Sequence, residues 1–406
     1  MVGVGGGRPF EFATATRVIF GAGTLARVPK EVVGWGRRWL VVTGRSRERA
    51  RRLTAALEET GIEVCGFAVG GEPTVEEVEA GRQLAGERGI EAVLAFGGGS
   101  AIDAGKAIAA LVSNPGPVTE YLEVIGPGRA LFQPPLPFVA IPTTAGTGTE
   151  VTRNAVLTSR EHSVKVSLRS SWLLPRLAVV DPELTYALPP AITAATGLDA
   201  LTQLIEPFVS CRATPLTDAL CREGMMRVAR SLRPAFAAAA RAEPAGGGQT
   251  EWTGAERAAR EDMAVASLFS GMALANAGLG AVHGLAGPIG GECHAPHGAI
   301  CAALLPRVFE VNVAALRQRA PSSEGLRRFD EVGRVLTGEA KAGADQAVSW
   351  LMDLVRDLGI PALGALGLTR EQIPGLVEKA ARASSMKANP IPLTPEGLIS
   401  VLERAW

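Results

Sequence analysis

Short apolar segments alternate with amphipathic segments along the first half of the chain, and no other feature restricts the possible folds as strongly. The apolar segments cover residues 39–43, 63–69, 92–96 and 136–141. Between them lie charged stretches with helical periodicity, such as residues 74–88. Apolar runs without polar alternation are typical of parallel strands that helices cover on both faces. The pattern therefore predicts β–α–β units in a mostly parallel sheet.

The second half of the chain follows a different pattern. After Asp181 and Pro182 the strand signals fade, and helical periodicity rich in Ala, Leu and Gly continues to the C-terminus. Because 406 residues exceed what one hydrophobic core usually supports, we expect two domains. Residues 1–183 would form an α/β domain and residues 184–406 an all-helical domain. The segment 237–255 is expected to be a mobile insertion without a chemical role.

Charge and cysteine content narrow the class of partner. The chain has 41 Lys and Arg residues against 41 Asp and Glu residues, so neither nucleic acid nor a membrane surface is an expected partner. A small molecule is expected instead. The five cysteines are scattered and form no CxxC pair, which is typical of reduced thiols. Since we find no signal-peptide pattern and no uninterrupted apolar span, we expect a cytoplasmic location.

A glycine-rich turn follows the third apolar segment and opens a helical pattern that contains Asp103. The turn comprises Gly97, Gly98, Gly99 and Ser100. Backbone N–H groups at such a turn, with the helix N-terminus behind them, can bind a pyrophosphate. A Walker-type phosphate loop is disfavoured, because Ala107 follows Lys106 where Ser or Thr is required. The alternative is that the glycines only form a tight turn.

A second loop, over residues 143–149, follows the fourth apolar segment and contains Thr143, Thr144 and Thr147. In open α/β sheets, ligands bind at the carboxyl ends of the strands. Two polar, glycine-bearing loops at one sheet edge therefore favour a nucleotide ligand over two unrelated turns.

These loops, together with residues 181–185, 196–201 and 278–298, resemble the iron-containing (group III) alcohol dehydrogenases over about residues 8–400. The resemblance implies a dehydroquinate synthase-like architecture. In it, a dinucleotide-binding α/β domain precedes a helical domain, and the cleft between them holds a divalent metal. It also implies hydride transfer between NAD(P)(H) and a small alcohol or aldehyde. We further expect a homodimer.

The resemblance implies a set of cofactor contacts. The glycine-rich turn would hold the pyrophosphate, the threonines of the second loop would line the ribose and nicotinamide, and two leucines would flank the adenosine. Lys165 would reach a ribose hydroxyl and take part in proton transfer, although a single Lys is more often a solvated surface charge. The expected cofactor-binding residues are Gly44, Arg45, Ser46, Gly97, Gly98, Gly99, Ser100, Asp103, Thr143, Thr144, Thr147, Lys165, Leu184 and Leu188.

Four residues match the positions of the family's metal ligands, namely Asp199, Gln203, His283 and His297. Asp199 and Gln203 are spaced i and i+4, so both would project from one helix face. Gln203 replaces a His, and a neutral carbonyl oxygen is a poorer ligand for Fe²⁺ or Zn²⁺. Affinity should therefore fall, and selectivity should shift toward harder cations. The alternative is a hydrogen-bonded network that works without metal, as in relatives resembling maleylacetate reductases.

The resemblance leaves the proton donor open. Gly287 occupies a position at which the family often has a further His near the substrate. Without a cation to polarise the substrate oxygen, His283 or His297 would have to donate a hydrogen bond. His294 either faces solvent or enters the cleft in place of the lost acid. Glu206 is a further candidate, although a Glu on a helix is usually solvated or paired at the surface.

The end of the first apolar segment predicts the type of cofactor. NAD-using relatives carry an Asp there, which accepts from the ribose 2′-hydroxyl and repels a 2′-phosphate. This chain has Gly44, Arg45, Ser46 and Arg47, which leave room for a phosphate and offer charge-assisted hydrogen bonds to it. We therefore expect NADP(H) to be preferred over NAD(H). The alternative is that the arginines only solvate the start of a surface helix.

A non-catalytic, dinucleotide-binding descendant is the rival to an enzyme, because positions 203 and 287 have lost the family's residues. Glycerol dehydrogenase-like and dehydroquinate synthase-like reactions are further alternatives. Residues 147–150 fit the alcohol dehydrogenases better.

Overall fold

The computed structural model describes residues 9–162, 164–242, 251–293 and 295–406. His294 and residues 243–250 of the expected insertion lie outside these ranges. The expected insertion is too long at its start, because a helix over Pro215–Ala242 continues through the alanine-rich residues 237–242. Alanine has the highest helix propensity, which explains why the helix extends this far.

Six parallel strands form the sheet of the N-terminal half. With a separate antiparallel pair, the described residues contain eight strands in chain order. They are β1 (Val18–Phe20), β2 (Arg38–Thr43), β3 (Glu63–Ala68), β4 (Ala92–Gly97), β5 (Phe138–Pro142), β6 (Asn154–Ser159), β7 (Val164–Arg169) and β8 (Leu177–Val180). The sheet order is β1-β8-β5-β4-β2-β3, while β6 and β7 form a separate antiparallel pair. The mostly parallel sheet is confirmed, and the four segments expected from apolar runs correspond to β2, β3, β4 and β5.

Helices cover both faces of this sheet. They are α1 (Val28–Glu31), α2 (Arg51–Glu58), α3 (Val75–Glu87) and α4 (Gly99–Val112). Alternate residues of β2 enter opposite cores, with Leu40 and Val42 on one face and Trp39 and Val41 on the other. Because both faces are buried, neither face of the strand needs polar side chains, and the apolar run is uninterrupted.

Beyond β8, every element in the described residues is helical, as expected. The longer helices are α5 (Pro190–Val209), α6 (Pro215–Ala242), α7 (Gly254–Ala277), α8 (Ala281–Cys293), α9 (His297–Arg319), α10 (Glu324–Thr337), α11 (Ala344–Asp357), α12 (Ile373–Arg382) and α13 (Pro395–Ala405). Helix α5 is central and packs against α6, α7 and α9. The expected boundary near residue 183 falls in the connection between β8 and α5.

Helix α9 is apolar and long enough to cross a membrane, as judged by length and composition only. Of its most apolar window, 67% is buried inside the fold. This burial is typical of a core helix in a helical domain.

Candidate active site

The carboxyl ends of β2 and β4 form one edge of the site. In the sheet, β2 lies between β3 and β4. The chain passes from β2 to β3 on one side and then crosses back to β4 on the other, so the strand order reverses between β2 and β4. Ligands of open α/β sheets bind in the crevice at such a reversal. Gly44 follows β2, and Gly98, the residue before α4, follows β4. The expected nucleotide loops therefore meet at the reversal point.

The glycine-rich turn lies against the threonine loop. A Cβ placed on Gly99 would be 3.0 Å from the Thr147 side chain, and one on Gly98 would be 3.5 Å from that of Thr144. Thr143 donates its backbone N–H to Gly97 O at 2.9 Å. Ser100 lies in the first turn of α4, where backbone N–H groups lack helical partners. These amides and hydroxyls offer donors to an anion at one place.

The threonine loop also contacts the helical domain. A Cβ on Gly146 would lie 2.6 Å from Thr196 in α5, and one on Gly148 would lie 2.4 Å from the Cα of Gly271 in α7. Gly148 has a φ of 58°, a left-handed conformation that favours glycine. The loop therefore lies at the junction of the sheet and the helices.

The residues after β2 surround an open space. A Cβ on Gly44 would meet no atom within 4 Å. Arg45 donates its Nε to Gly70 O, and Arg49 donates an N–H to Leu184 O at 2.9 Å. Both arginine side chains are exposed, and Ser46 begins the short 3₁₀ turn that follows. Leu184 thus lies beside the arginine segment, while Leu188, four residues on, is buried.

Asp103 is buried one turn into α4, beside Lys106. Burial raises the pKa of Asp103 to about 7, with Lys106 opposing the shift and Glu72 adding to it. Lys106 Nζ donates to the carbonyl oxygens of Thr152 at 2.7 Å and Asn154 at 3.1 Å. The pair anchors α4 to the loop that leads into β6.

Lys165 extends from β7 toward the helical domain. Its Nζ is 2.6 Å from Glu72 Oε1. A Cβ on Gly290 in α8 would be 2.7 Å from the same Nζ. Gly290 and His283 are seven residues apart and so share one face of α8. The Lys165 ammonium therefore lies against the helix that presents His283.

Four donor atoms converge where α5, α8 and α9 meet. They belong to Asp199, His283, His297 and Cys301, and all lie within 4.8 Å of one another. Asp199 Oδ1 is 3.4 Å from His283 Nε2 and 4.0 Å from His297 Nε2. Cys301 Sγ is 3.6 Å from His297 Nε2. Three of the expected metal residues and Cys301 thus come together, and the fourth expected residue, Gln203, contacts Asp199 at 2.9 Å.

Two atoms of this cluster, Asp199 Oδ1 and His283 Nε2, are buried without a hydrogen-bond partner. An unsatisfied buried polar atom costs about 1–3 kcal/mol, so two that face the same space call for an explanation. A carboxylate oxygen and two imidazole nitrogens are suitable ligands for Zn²⁺ and Fe²⁺. The residues present therefore fit a divalent cation.

Glu206 orients His283 through Nδ1, the ring nitrogen that does not face the cluster. Its Oε2 is 2.6 Å from His283 Nδ1, and its Oε1 accepts the Val282 N–H at 2.7 Å. A carboxylate at Nδ1 directs the lone pair of Nε2 outward, as is common for metal-binding His residues. Glu206 is 5% exposed, so the expectation of a solvated or surface-paired Glu is wrong. It lies seven residues after Asp199, on the same face of α5.

Gln203 is engaged at both ends of its amide. Its Nε2 donates to Asp199 Oδ2 at 2.9 Å, and its Oε1 accepts from Ser270 Oγ at 2.9 Å. A carboxylate can only accept, so the nitrogen must face Asp199 and the oxygen must face Ser270. Ser270 Oγ is also 2.8 Å from Ser267 O and 3.5 Å from Gly146 O, and its single proton can serve only one of these oxygens at a time. Gln203 thereby contacts a residue that lies beside the threonine loop.

The four converging groups perturb one another's protonation. Burial raises the pKa of Cys301, but the His297 and His283 imidazoles offset it, so the pKa lies below the ordinary thiol value. Cys301 in turn raises the pKa of His297 above the usual range, against burial. Burial favours neutral His283, yet Cys301 and Glu206 raise its pKa well above 6.5. The cluster is electrostatically suited to bind positive charge.

The position of the family's further His is open. A Cβ on Gly287 would meet no atom within 4 Å. Gly287 is one turn after His283 on the same helix, so it leaves space beside the cluster. This space can admit part of a substrate.

Sequence reasoning missed Cys301 and Ser270. Cys301 carried a usable signal, because it lies four residues after His297 and so shares its helix face. No sequence signal pointed to Ser270, because its contact with Gln203 depends on how α7 packs on α5.

Comparisons with known proteins identify the family of this chain. The sequence model described as "Iron-containing alcohol dehydrogenase" matches residues 15–182, and that described as "Fe-containing alcohol dehydrogenase family, C-terminal" matches residues 193–406. Alcohol dehydrogenase 4 of Saccharomyces cerevisiae strain YJM789 is 35% identical over 357 residues, which cover 87% of this chain and 86% of that protein.

Two solved structures extend the comparison to the whole fold. A crystal structure of 1,3-propanediol oxidoreductase has a TM-score of 0.87 at 32% identity and covers 98% of this chain and 100% of that chain. Sulfoacetaldehyde reductase from Bifidobacterium kashiwanohense, solved in complex with NAD⁺, has a TM-score of 0.83 at 30% identity, with 98% of each chain covered. The resemblance inferred from the sequence motifs is confirmed. The chain belongs to the iron-containing alcohol dehydrogenase family and is an NAD(P)-linked oxidoreductase of alcohols and aldehydes.

Proposed function

We propose that this chain is a metal-dependent reductase of small aldehydes that prefers NADP(H) and also catalyses the reverse oxidation of alcohols. The observation that supports metal dependence most strongly is the pair of unpartnered buried atoms, Asp199 Oδ1 and His283 Nε2, which face His297 across one space. In this proposal Asp199, His283 and His297 hold the cation. Gln203 is a positioning residue that fixes Asp199 through its amide nitrogen.

The reaction is a hydride transfer. When bound, the reduced nicotinamide would supply a hydride, with its electron pair, to the carbonyl carbon, and the carbonyl oxygen would gain a proton, so that aldehyde, NADPH and H⁺ would yield alcohol and NADP⁺. When bound, a divalent cation supplies Lewis-acid polarisation of the substrate oxygen. The open space at Gly287 is proposed to admit the substrate.

The nucleotide is held across the reversal point of the sheet. The amides of the glycine-rich turn and the N-terminus of α4 bind the pyrophosphate, and Thr143, Thr144 and Thr147 face the nicotinamide ribose. Lys165 lies between β7 and α8 and acts, in this proposal, with the ribose hydroxyls and water as the path for the proton. Its partner Glu72 holds the ammonium in place.

The preference for NADP(H) rests on the segment after β2. Gly44 leaves open space where an acidic residue would repel a 2′-phosphate, and the exposed residues Arg45 and Arg47 follow it in the chain. A charge-assisted contact to a phosphate contributes roughly 1.5–3 kcal/mol, which corresponds to tenfold or more in affinity.

Steady-state kinetics with a panel of aldehydes and both cofactors tests this proposal. We expect NADPH consumption, with kcat/KM at least about tenfold higher for NADPH than for NADH. Gly44→Asp is sterically tolerable, since nothing lies within 4 Å and its φ is not positive. This variant should lose NADPH efficiency selectively. Equal efficiency with the two cofactors, or an equal loss for both in the variant, would contradict the cofactor preference.

The metal-independent and the non-catalytic alternatives give different results. A chain that consumes NADPH with aldehydes after complete removal of metal would be a metal-independent reductase of the maleylacetate reductase type. A chain that binds NADPH but reduces no aldehyde would be a non-catalytic descendant. The homodimer and the cytoplasmic location stay predictions, and light scattering on the purified protein tests the former.

A further inference from the structure

We propose that Cys301 is the fourth protein ligand of the metal, in place of the donor lost at Gln203, and that the site thereby prefers Zn²⁺ to Fe²⁺. This inference rests on the proposed function, in which Asp199, His283 and His297 hold a divalent cation. It assigns to the site a thiolate where the sequence motif led us to expect an amide oxygen.

The position of the thiol supports this assignment. Cys301 is buried one helical turn after His297 on α9, and its Sγ lies within 4.8 Å of Asp199, His283 and His297 donor atoms. A tetrahedral site with bonds of about 2.0–2.3 Å separates its donor atoms by roughly 3.3–3.8 Å. The observed separations of 3.4, 3.6 and 4.0 Å fall close to this range. Small side-chain rotations would therefore complete the set.

The orphaned atoms indicate that the thiol is aimed at a shared ligand. Asp199 Oδ1 and His283 Nε2 are 2–9% exposed by residue and have no hydrogen-bond partner. If Cys301 served only as a partner of His297, these two atoms would remain unsatisfied. One cation at the centre of the four groups satisfies all of them.

Gln203 cannot easily supply the fourth donor. Its oxygen accepts from Ser270, and turning the amide over would place that oxygen against the Asp199 carboxylate, which has no proton to donate. The loss of a His at 203 and the presence of a Cys at 301 thus compensate each other within one cluster.

The donor chemistry determines the metal. Sequence reasoning from Gln203 alone predicted a shift toward harder cations, because an amide oxygen would replace an imidazole. A thiolate reverses that expectation, since thiolates are soft ligands that select Zn²⁺, and Zn²⁺ accepts mixed Cys, His and Asp sets. We therefore expect tight Zn²⁺ binding and weaker Fe²⁺ binding in the same protein.

Cobalt spectroscopy on the full chain tests the ligand directly. The wild type, Cys301→Ser and Cys221→Ser are stripped of metal under reducing, oxygen-free conditions and loaded with one equivalent of Co²⁺. Cys221 is buried in α6 outside the cluster and serves as the matched control. We expect an intense near-ultraviolet band from sulfur-to-cobalt charge transfer in the wild type and in Cys221→Ser, and its absence in Cys301→Ser.

Two measurements with Zn²⁺ test the same ligand assignment, and the first needs no variant. X-ray absorption of the Zn²⁺-loaded wild type should contain one sulfur at about 2.3 Å. Competition with a chelator should show that Cys301→Ser binds Zn²⁺ more weakly than the wild type. Removing a residue that only orients a metal ligand lowers affinity roughly 10–100-fold, and we expect the loss for Cys301→Ser to be larger. Thermal unfolding of the metal-free variants verifies that each is folded.

The outcomes separate this inference from the proposed function. If Co²⁺ or Zn²⁺ binds in stoichiometric amount without sulfur in its coordination sphere, Cys301 is not a ligand, and the metal-dependent reductase stands. If the wild type binds neither metal, the ligand assignment and the metal dependence both fail. A sulfur ligand with no aldehyde reduction would uphold the assignment of Cys301 and overturn the proposed reaction.

Discussion

At the scale of single residues, the two ring nitrogens of His283 have different surroundings, and this difference defines the site. Nδ1 is 2.6 Å from the Glu206 carboxylate, while Nε2 is buried and unpartnered. A carboxylate at Nδ1 favours a proton on that nitrogen and makes Nε2 more basic, so that Nε2 is the nitrogen left for a metal. Glu206 itself is fixed, because it accepts the Val282 N–H at 2.7 Å. In the proposed function, the metal-binding nitrogen would thus be oriented by a residue that does not touch the metal.

Glu206→Gln tests this role. The amide still accepts from the Val282 N–H but no longer carries the negative charge that holds Nδ1–H. We expect Zn²⁺ affinity to fall by about 10–100-fold, with the fold retained. Chelator competition measures the affinity, and Glu261→Gln, at an exposed position of α7, is the control. An unchanged affinity would mean that Glu206 does not orient the ligand.

At the scale of elements, α6 and α7 are joined by a partly buried carboxylate. Asp262 in α7 accepts from Arg227 at 2.7 Å, Arg230 at 2.6 Å and Ser231 at 2.6 Å, all in α6. Helix α7 also carries Ser270, which contacts Gln203 and lies beside the threonine loop. The α6–α7 contact therefore holds one wall of the site in position.

Asp262→Asn should lower the free energy of unfolding at pH 7 by about 1–2 kcal/mol. Burial raises the pKa of Asp262, but the Arg230 and Ser231 hydrogen bonds outweigh it and leave the pKa below the ordinary value. A carboxyl whose pKa is lowered in the folded state stabilises that state at pH values above its pKa in the unfolded chain, which is about 3.9. This stabilisation is lost as the pH falls through the folded-state pKa.

Urea unfolding as a function of pH checks this expectation. The difference between wild type and Asp262→Asn should be constant at neutral pH and shrink in the acid range. Asp353→Asn, in an exposed pair with Arg356, serves as the control and should change stability little. A difference that grows as the pH falls would contradict the assigned sign of the shift.

The central strands β2 to β5 could be predicted from sequence, whereas the short strands β1 and β8, the antiparallel pair β6 and β7, and much of the site could not. Buried strands such as β2 and β4 leave uninterrupted apolar runs, and their period and length identify them without tertiary information. The candidate metal cluster combines α5, α8 and α9, so Asp199, His283 and His297 were identified by family motif rather than by pattern. Cys301 was missed but could have been found, since it lies on the helix face of His297. Glu206 was named only as a candidate proton donor, and its contact with His283 could not be read from sequence.

At the scale of the whole molecule, the threonine loop lies between the glycine-rich turn of the sheet and the helices that carry the candidate metal ligands. It follows β5 beside the glycine-rich turn and packs on α5 and α7 through Gly146 and Gly148. The Ser270 hydroxyl lies beside this junction and contacts Gln203, which in turn contacts Asp199. In the proposed function, the groups that bind cofactor and metal would therefore lie on one continuous framework, which would fix the distance between hydride donor and carbonyl.

Metal content and activity, measured on the same protein before and after chelation, test the central claim most directly. We predict about one divalent ion per chain, loss of NADPH-dependent aldehyde reduction when that ion is removed, and recovery on adding Zn²⁺ back to the stripped, folded protein. Full activity in protein that contains no metal would contradict the account.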